Sequence, residues 1–333
     1  MKEQYVAELR EGMKVDAPFA LRSKEVRSTR NGEAFLALEL ADRTGRIPAI
    51  VFKPAEDATR AGAGDVVRVR GTVTSYRGRR RVSVESMRSD VPLPAEDLLP
   101  ATRRDRAELL GFLDALMDEV REPHLRRVVY ALFEDPAFRE RFASCPASRS
   151  RHHACIGGLL EHTVDVATLA QQIGQQYPYV DADLLLAGAL LHDVGKVDEF
   201  AFDSSISYTD AGRLVGHVVM GERRVSEIVA RLGDMPRTLA LRLSHLLISH
   251  HGELEWGSPR RPATLEALIL HHVDNLDAKM AGFMQAVDRA ALADDRWTDA
   301  VNMFKRPLYA PRPAAGDRRE VADEDDEYCM ERG

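Results

Sequence analysis

The hydrophobic period of this chain changes once, and the change falls on a cluster of prolines. Before Val91-Pro92-Leu93-Pro94 apolar residues recur at every second position, and after Leu99-Pro100 they recur at every third or fourth. Side chains alternate across a strand but meet on one helix face at spacings of three and four, so two kinds of layer are required. The prolines stiffen the junction and lack the N–H that a helix needs. A chain of 333 residues has room for two cores at about 150 residues each. The expected organisation is a β domain over residues 1–90, a linker over 91–101 and a helical connector over 102–150. A second, all-helical domain over 151–310 and a tail over 311–333 complete it.

In the first part, Leu36, Leu38 and Leu40 alternate with Phe35, Ala37 and Glu39. Asp42-Arg43-Thr44-Gly45 supplies turn chemistry before Ile47, Ala49 and Val51 resume the period, which is a hairpin signal. Pro54 to Gly64 leaves room for a short helix. Val67, Val69, Gly71 and Val73 follow, and Arg77-Gly78 turns the chain into Val82 and Val84. With a strand near Phe19 to Lys24, five short antiparallel strands with a helix slot after the third fit an OB-fold barrel, with an SH3-like barrel as runner-up. OB-folds commonly hold single-stranded nucleic acid. Residues 1–90 carry 18 Lys and Arg against 13 Asp and Glu, a net +5 in a chain whose total is −7. That excess suits a polyanion. The expected nucleic-acid contacts are Arg68 and Arg70 on one strand and Tyr76, Arg79, Arg80 and Arg81 around a hairpin, with Phe35 and Phe52 as further stacking surfaces.

Several classes drop out. The longest apolar run, Leu184 to Leu191, is far short of the ~18 residues that span a bilayer, and Met1-Lys2-Glu3-Gln4 does not open a secretory leader. A cytoplasmic protein without a membrane partner is expected. Cys145, Cys155 and Cys329 form no CxxC pair, which argues against disulfide scaffolds and thiolate zinc sites. The run Asp323 to Glu327 reads as a disordered acidic tail, either solvating or competing with nucleic acid for a basic groove.

Helices are expected at 124–133, 158–176, 182–192, 213–232, 237–250 and 263–288, with another opened by Thr102 as N-cap. The histidines all lie in this helical part. His162 shares a face with Leu159, Val166, Leu169 and Ile173. His192-Asp193 directly follows eight apolar residues, where a buried carboxylate needs a cation or several donors. His217, His250-His251 and Asp274 fall at comparable places on later helices. A single such residue is more often structural, but six such sites on successive helices favour a metal centre. His124, His245, His271 and His272 belong to no constellation.

The pattern H…HD…D in a helical domain resembles the HD superfamily of metal-dependent phosphohydrolases. With the OB-like barrel beside it, the chain is similar to the YhaM-type 3′-to-5′ exoribonucleases over roughly residues 5–290. The stretches that carry this are Asn31-Gly32-Glu33 with Leu40 to Gly45, His152-His153-Ala154-Cys155-Ile156-Gly157-Gly158-Leu159-Leu160-Glu161-His162-Thr163, and Leu186 to Lys196. The resemblance implies a first metal on His162, His192, Asp193 and Asp274, and a second that draws on His217 and on His250 or His251.

Imidazole-rich ligation suits Mn²⁺, Co²⁺, Fe²⁺, Ni²⁺ or Zn²⁺ better than Mg²⁺. Asp193 is the natural bridge between two ions clamping an in-line displacement at phosphorus. Lys196 is placed to neutralise the reacting phosphate, and Arg151, His152 and His153 to touch a neighbouring phosphate or ribose. Neither a P-loop nor a Ser-His-Asp or GxGxxG arrangement is present to support other chemistry. The expected activity is 3′-to-5′ hydrolysis of single-stranded RNA, with single-stranded DNA as a second substrate, Mn²⁺ as the first choice of metal and a homo-oligomer as a possible assembly. The alternatives are an HD nucleotidase and a non-catalytic nucleic-acid-binding protein.

Overall fold

The computed structural model describes residues 2–311 except 30, 31, 53, 55, 77, 90–92, 150–152, 293 and 294. The expected contacts Arg151 and His152 and the acidic tail from residue 312 onward lie outside the described residues. Five strands form a closed barrel in the order β1-β2-β3-β5-β4: β1 (Lys14–Ser28), β2 (Ala34–Asp42), β3 (Gly45–Phe52), β4 (Val66–Tyr76) and β5 (Arg79–Arg88). The short helix α1 (Glu56–Arg60) sits in the expected slot between β3 and β4. Closure comes from β1, whose first half pairs with β4 and whose second half pairs with β2, and from the parallel contact of β3 with β5. β1 is far longer than the expected Phe19 to Lys24. Its alternation fails where both neighbours meet it, so Ala17, Pro18, Phe19, Ala20 and Leu21 are buried in succession. A register shift follows between Leu21 and Ser23.

The barrel core is Phe19, Leu21, Leu38, Leu40, Val67, Val69 and Val82 among others. At one end Lys2 Nζ lies 2.5 Å from Asp42 Oδ2, which also accepts the Val6 N–H at 2.8 Å. The same ammonium sits 3.8 Å from the Phe19 ring centre, a cation–π contact that offsets part of the cost of burying the charge. The junction carries a turn of helix, α2 (Ala95–Leu98), with Leu98 and Leu99 buried, and Tyr5 donates to Asp97 at 2.7 Å.

The helical part comprises α3 (Arg106–Asp118), α4 (Pro123–Phe133), α5 (Pro136–Ser144), α6 (Gly158–Gln176), α7 (Ala182–Leu191), α8 (Lys196–Glu199), α9 (Asp210–Leu214), α10 (His217–Leu232), α11 (Arg237–Ser249) and α12 (Leu265–Leu292). Leu113 of α3, Val129 of α4 and Phe142 of α5 belong to the same hydrophobic core as Leu159, Leu190 and Leu246. Asp105, not the expected Thr102, caps α3 by accepting from the Ala107 and Glu108 amides. The Thr102 hydroxyl instead donates to Glu161 at 2.7 Å. The expected helix 213–232 is broken: Gly216, at φ +80, separates α9 from α10. A small hairpin unforeseen in the sequence, β6 (Phe200–Phe202) with β7 (Ile206–Tyr208), follows α8.

Among the described residues, those up to 278 form one compact unit and those from 279 a second. In the second, the Thr298 amide donates to Leu308 and the Trp297 and Tyr309 rings lie 5.3 Å apart. Among the described residues no helix is long and apolar enough to cross a membrane.

Candidate metal centre

Leu184 to Leu191 are buried on every side, so α7 runs through the middle of the helical core and delivers its C-terminal end to the interior. His192 and Asp193 emerge there, 1% and 2% exposed. His162 meets them from α6, His217 from the first position of α10, His250 and His251 from the end of α11, and Asp274 from α12.

The Asp193 carboxylate divides its oxygens between two sets of imidazoles. Oδ2 lies 3.3 Å from both His162 Nε2 and His192 Nε2, and Oδ1 lies 3.5 Å from His217 Nε2 and 3.7 Å from His250 Nε2. Asp274 Oδ1 joins the first set at 3.2 Å from His162 Nε2, and His251 Nε2 joins the second at 3.2 Å from His217 Nε2. The structure thus brings all seven expected ligands together, with His250 and His251 both turned inward. Lys196 Nζ lies 2.5 Å from Asp193 Oδ2.

What the rings do with their other nitrogen fixes their role. Nδ1–H donates to the carbonyls of Ala189 from His192, Leu247 from His250 and Trp256 from His251, at 2.8, 2.7 and 3.0 Å. His162 and His217 donate to the carboxylates of Asp277 and Glu199 at 2.6 and 3.0 Å. A carbonyl can only accept, so in the neutral ring Nε2 keeps its lone pair and aims it at the centre, the orientation that metal-binding histidines require. Asp193 Oδ1 and His250 Nε2 are buried without any hydrogen-bond partner among the described residues. Such orphaned acceptors cost free energy unless a cation completes them, so the donor set fits divalent metal.

Charge agrees with that fit at Asp193, His250 and His251. Burial by itself would raise the Asp193 carboxyl, but Lys196 and His192 hold it well below the carboxylate range. Burial pushes His251 down to about 4, assisted by His217, and pushes His250 well down, assisted by His251 and His192. Both rings are therefore neutral at neutral pH, as a metal would require. For His162, burial acts downward but Asp193, Asp274 and Asp277 outweigh it and lift the imidazole well above its usual value.

Three participants escaped the sequence pattern. Asp277 and Glu199 orient the His162 and His217 rings, and His153, expected at RNA, instead places Nε2 3.1 Å from Asp277 and Nδ1 3.4 Å from Glu161. Its side chain is 10% exposed, too enclosed for a free phosphate arm. The available signal for Asp277 was its i+3 spacing from Asp274 on one helix face.

On the barrel a groove of about 1110 Å³ includes Phe35, Phe52, Tyr76, Arg79, Arg80 and Arg81. Phe52 and Tyr76 are half exposed, and the Arg81 guanidinium lies 4.4 Å from the Tyr76 ring centre. Arg68 and Arg70 are not in this groove. Both pair with Asp16, at 2.6 and 2.9 Å, which cancels part of the charge expected to meet RNA.

Comparison with known families assigns the HD domain to residues 159–279 and an OB-fold nucleic acid binding domain, tRNA_anti-codon, to residues 23–89. The family TraI_2, described as a putative helicase, matches residues 95–183. The 3′-5′ exoribonuclease YhaM of Bacillus velezensis is 35% identical over 306 residues, covering 90% of this chain and 96% of that protein. YhaM of Bacillus subtilis gives the same identity and coverage. YhaM of Listeria monocytogenes is 32% identical over 282 residues, covering 84% of this chain and 89% of that protein.

Proposed function

The chain belongs to the YhaM 3′-5′ exoribonuclease family, and from that premise we propose that it hydrolyses single-stranded RNA from the 3′ end with two divalent ions, Mn²⁺ first among them. The observation that carries this reading is the split of Asp193 between two imidazole sets. His162, His192, Asp193 and Asp274 would hold one ion, and His217, His250, His251 and the second oxygen of Asp193 the other. Bound there, such a pair supplies water activation and polarisation of the phosphoryl oxygens.

The protein's own groups do the rest. Asp277 and Glu199 fix the tautomers of His162 and His217, so that no ring must turn before ligation. The Lys196 ammonium beside Asp193 keeps its proton, because Asp193 and Asp274 outweigh the opposing effect of burial. It balances negative charge where a phosphodiester must enter. The barrel groove holds the unreacted strand through Phe52, Tyr76 and Arg79, base stacking being worth about 1–3 kcal/mol each.

The test is an end-label pair. With Mn²⁺ present, 5′-labelled single-stranded RNA should shorten in a ladder, while 3′-labelled RNA should release a labelled mononucleotide at once. Internal fragments from both labels, or hydrolysis confined to free nucleotides, would overturn the reading.

A further inference from the structure

The two faces of α11 lead to different histidines. Leu243, Leu246 and Leu247 point into the core and continue to His250, while Leu241, Ser244 and Ile248 follow the neighbouring stripe towards His251 at i+3. That stripe is one wall of a pocket of about 600 Å³, within the range that accepts small ligands. The other wall is the loop after the helix, with Leu254, Pro259 and Arg260.

This loop is braced. Gly252 has φ +79 and lies so close to the His271 ring that a Cβ would stand 2.2 Å from Cε1. The buried Ser258 hydroxyl is 3.2 Å from the Ile248 carbonyl and 2.7 Å from that of Arg260. The Ala263 N–H donates to His245 at 2.9 Å, and His251 donates to the Trp256 carbonyl. One end of the loop is therefore tied to a proposed metal ligand and the other to the helix wall.

A nucleotide needs apolar surface beneath its base and a cation at its phosphate, and the lining offers both. Leu241 and Leu254 expose apolar surface, 69% and 54% of each residue, facing the same pocket. Arg261 pairs with Glu253, but Arg260 has no carboxylate within ion-pair reach among the described residues. We propose that this pocket is the subsite for one nucleotide of the RNA strand next to the bond being cleaved, the base lying on Leu241, Ile248 and Leu254 and a backbone phosphate on Arg260. The proposal rests on the exoribonuclease reading and extends it from the metal ligands to the strand.

Trp256 shares the loop turn with Leu254 and is one of two tryptophans, so full-length protein carrying Trp297→Phe reports on this loop alone. Adenosine 5′-monophosphate, titrated in EDTA, should change the indole fluorescence saturably, and Arg260→Gln should raise the Kd roughly tenfold, as removal of a charge-assisted hydrogen bond does. On a 20-mer RNA, Arg260→Gln and Leu254→Ser should lower kcat/KM relative to that on bis(p-nitrophenyl) phosphate by about tenfold, mainly through KM. Unchanged fluorescence, a parental Kd in Arg260→Gln or a parental ratio in both variants would overturn the subsite. Nucleotide binding that depends on Arg260 in a protein unable to shorten RNA would instead overturn the exoribonuclease reading, and with it the assignment to a strand.

Discussion

Because Asp193 faces both imidazole sets, its replacement should cost metal and turnover together. Asp193→Asn keeps the shape but removes the charge opposite Lys196, so bound Mn²⁺ should fall from two per chain to one or fewer and kcat by at least about a thousandfold. Elemental analysis beside turnover on RNA checks this; two retained ions with near-parental kcat would refute the bridging role. Asp277→Asn leaves every proposed ligand in place but weakens the bond that orients His162, and should reduce Mn²⁺ affinity about 10- to 100-fold while activity recovers at high Mn²⁺. A metal titration of activity measures it. The convergence of the proposed ligands was legible in the sequence, because His162 and Asp274 are polar residues on apolar helix faces and His192-Asp193 ends a buried run. The groups behind them were not. Glu199 lies on a four-residue helix with no period to read, and His153 turns inward from a loop at φ +47. Nor could spacing choose between His250 and His251, since both stand where α11 ends and the chain leaves the helix with each ring turned inward.

At the level of elements, close approaches without side chains hold the histidines in reach of one another. A Cβ on Gly195 would meet the His217 carbonyl oxygen at 2.1 Å and the Gly221 amide nitrogen at 2.6 Å, so α8 and α10 touch backbone to backbone. Gly195→Ala must part them, costing about 1–3 kcal/mol and moving His217 from Asp193; a lower Tm together with weaker Mn²⁺ binding is expected from thermal scans and metal titration. A second junction joins the loop before α7 to α11 and α12 through Glu266, which accepts the Asp181 amide at 3.0 Å and pairs with Arg242 at 3.2 Å. Burial alone would raise this carboxyl, but the Asp181 N–H and other donors, with Arg242, bring it below its usual value. A depressed folded-state value contributes stability above the unfolded value, near 4.3, that is lost as the pH falls through the folded one. Glu266→Gln should therefore cost about 1.5–3 kcal/mol at pH 7, with the difference shrinking on acidification. Denaturant melts at pH 7 and pH 3 make the comparison, and an equal loss at both would refute the linkage. Most elements were legible as periods of two or three to four. The exceptions have local causes: Asp105 was the better-placed acceptor than Thr102, Gly216 ended a helix that periodicity alone would continue, and β6 and β7 are three residues each, too short to show alternation.

For the molecule as a whole, the question is whether the barrel serves the chemistry or only accompanies it. The number of strands and the helix slot were legible because β2 to β5 largely alternate between a buried and an outer face, whereas the parallel contact of β3 with β5 and the pairing of Arg68 and Arg70 with Asp16 depend on which strands lie side by side, the latter a contact between residues about fifty positions apart. The groove residues are thus the sharper handle. Arg80 is a poor choice, since its guanidinium also donates to the Leu9 carbonyl and its removal would disturb the barrel. Arg79→Gln with Phe52→Ala removes one charge and one exposed ring while leaving the core untouched. On the proposed reading a dinucleotide should reach the proposed metal ligands without the barrel, while a 20-mer should draw remote binding energy from it. The double variant should accordingly raise KM on the 20-mer by about tenfold or more and leave the dinucleotide kcat/KM within about twofold. With one phosphate no longer neutralised, the salt dependence of 20-mer binding should become shallower by about 0.7 in log–log slope. Steady-state kinetics on both lengths at two salt concentrations decide it. Equal losses on both substrates would mean that the groove supports the fold of the chain and not its hold on RNA.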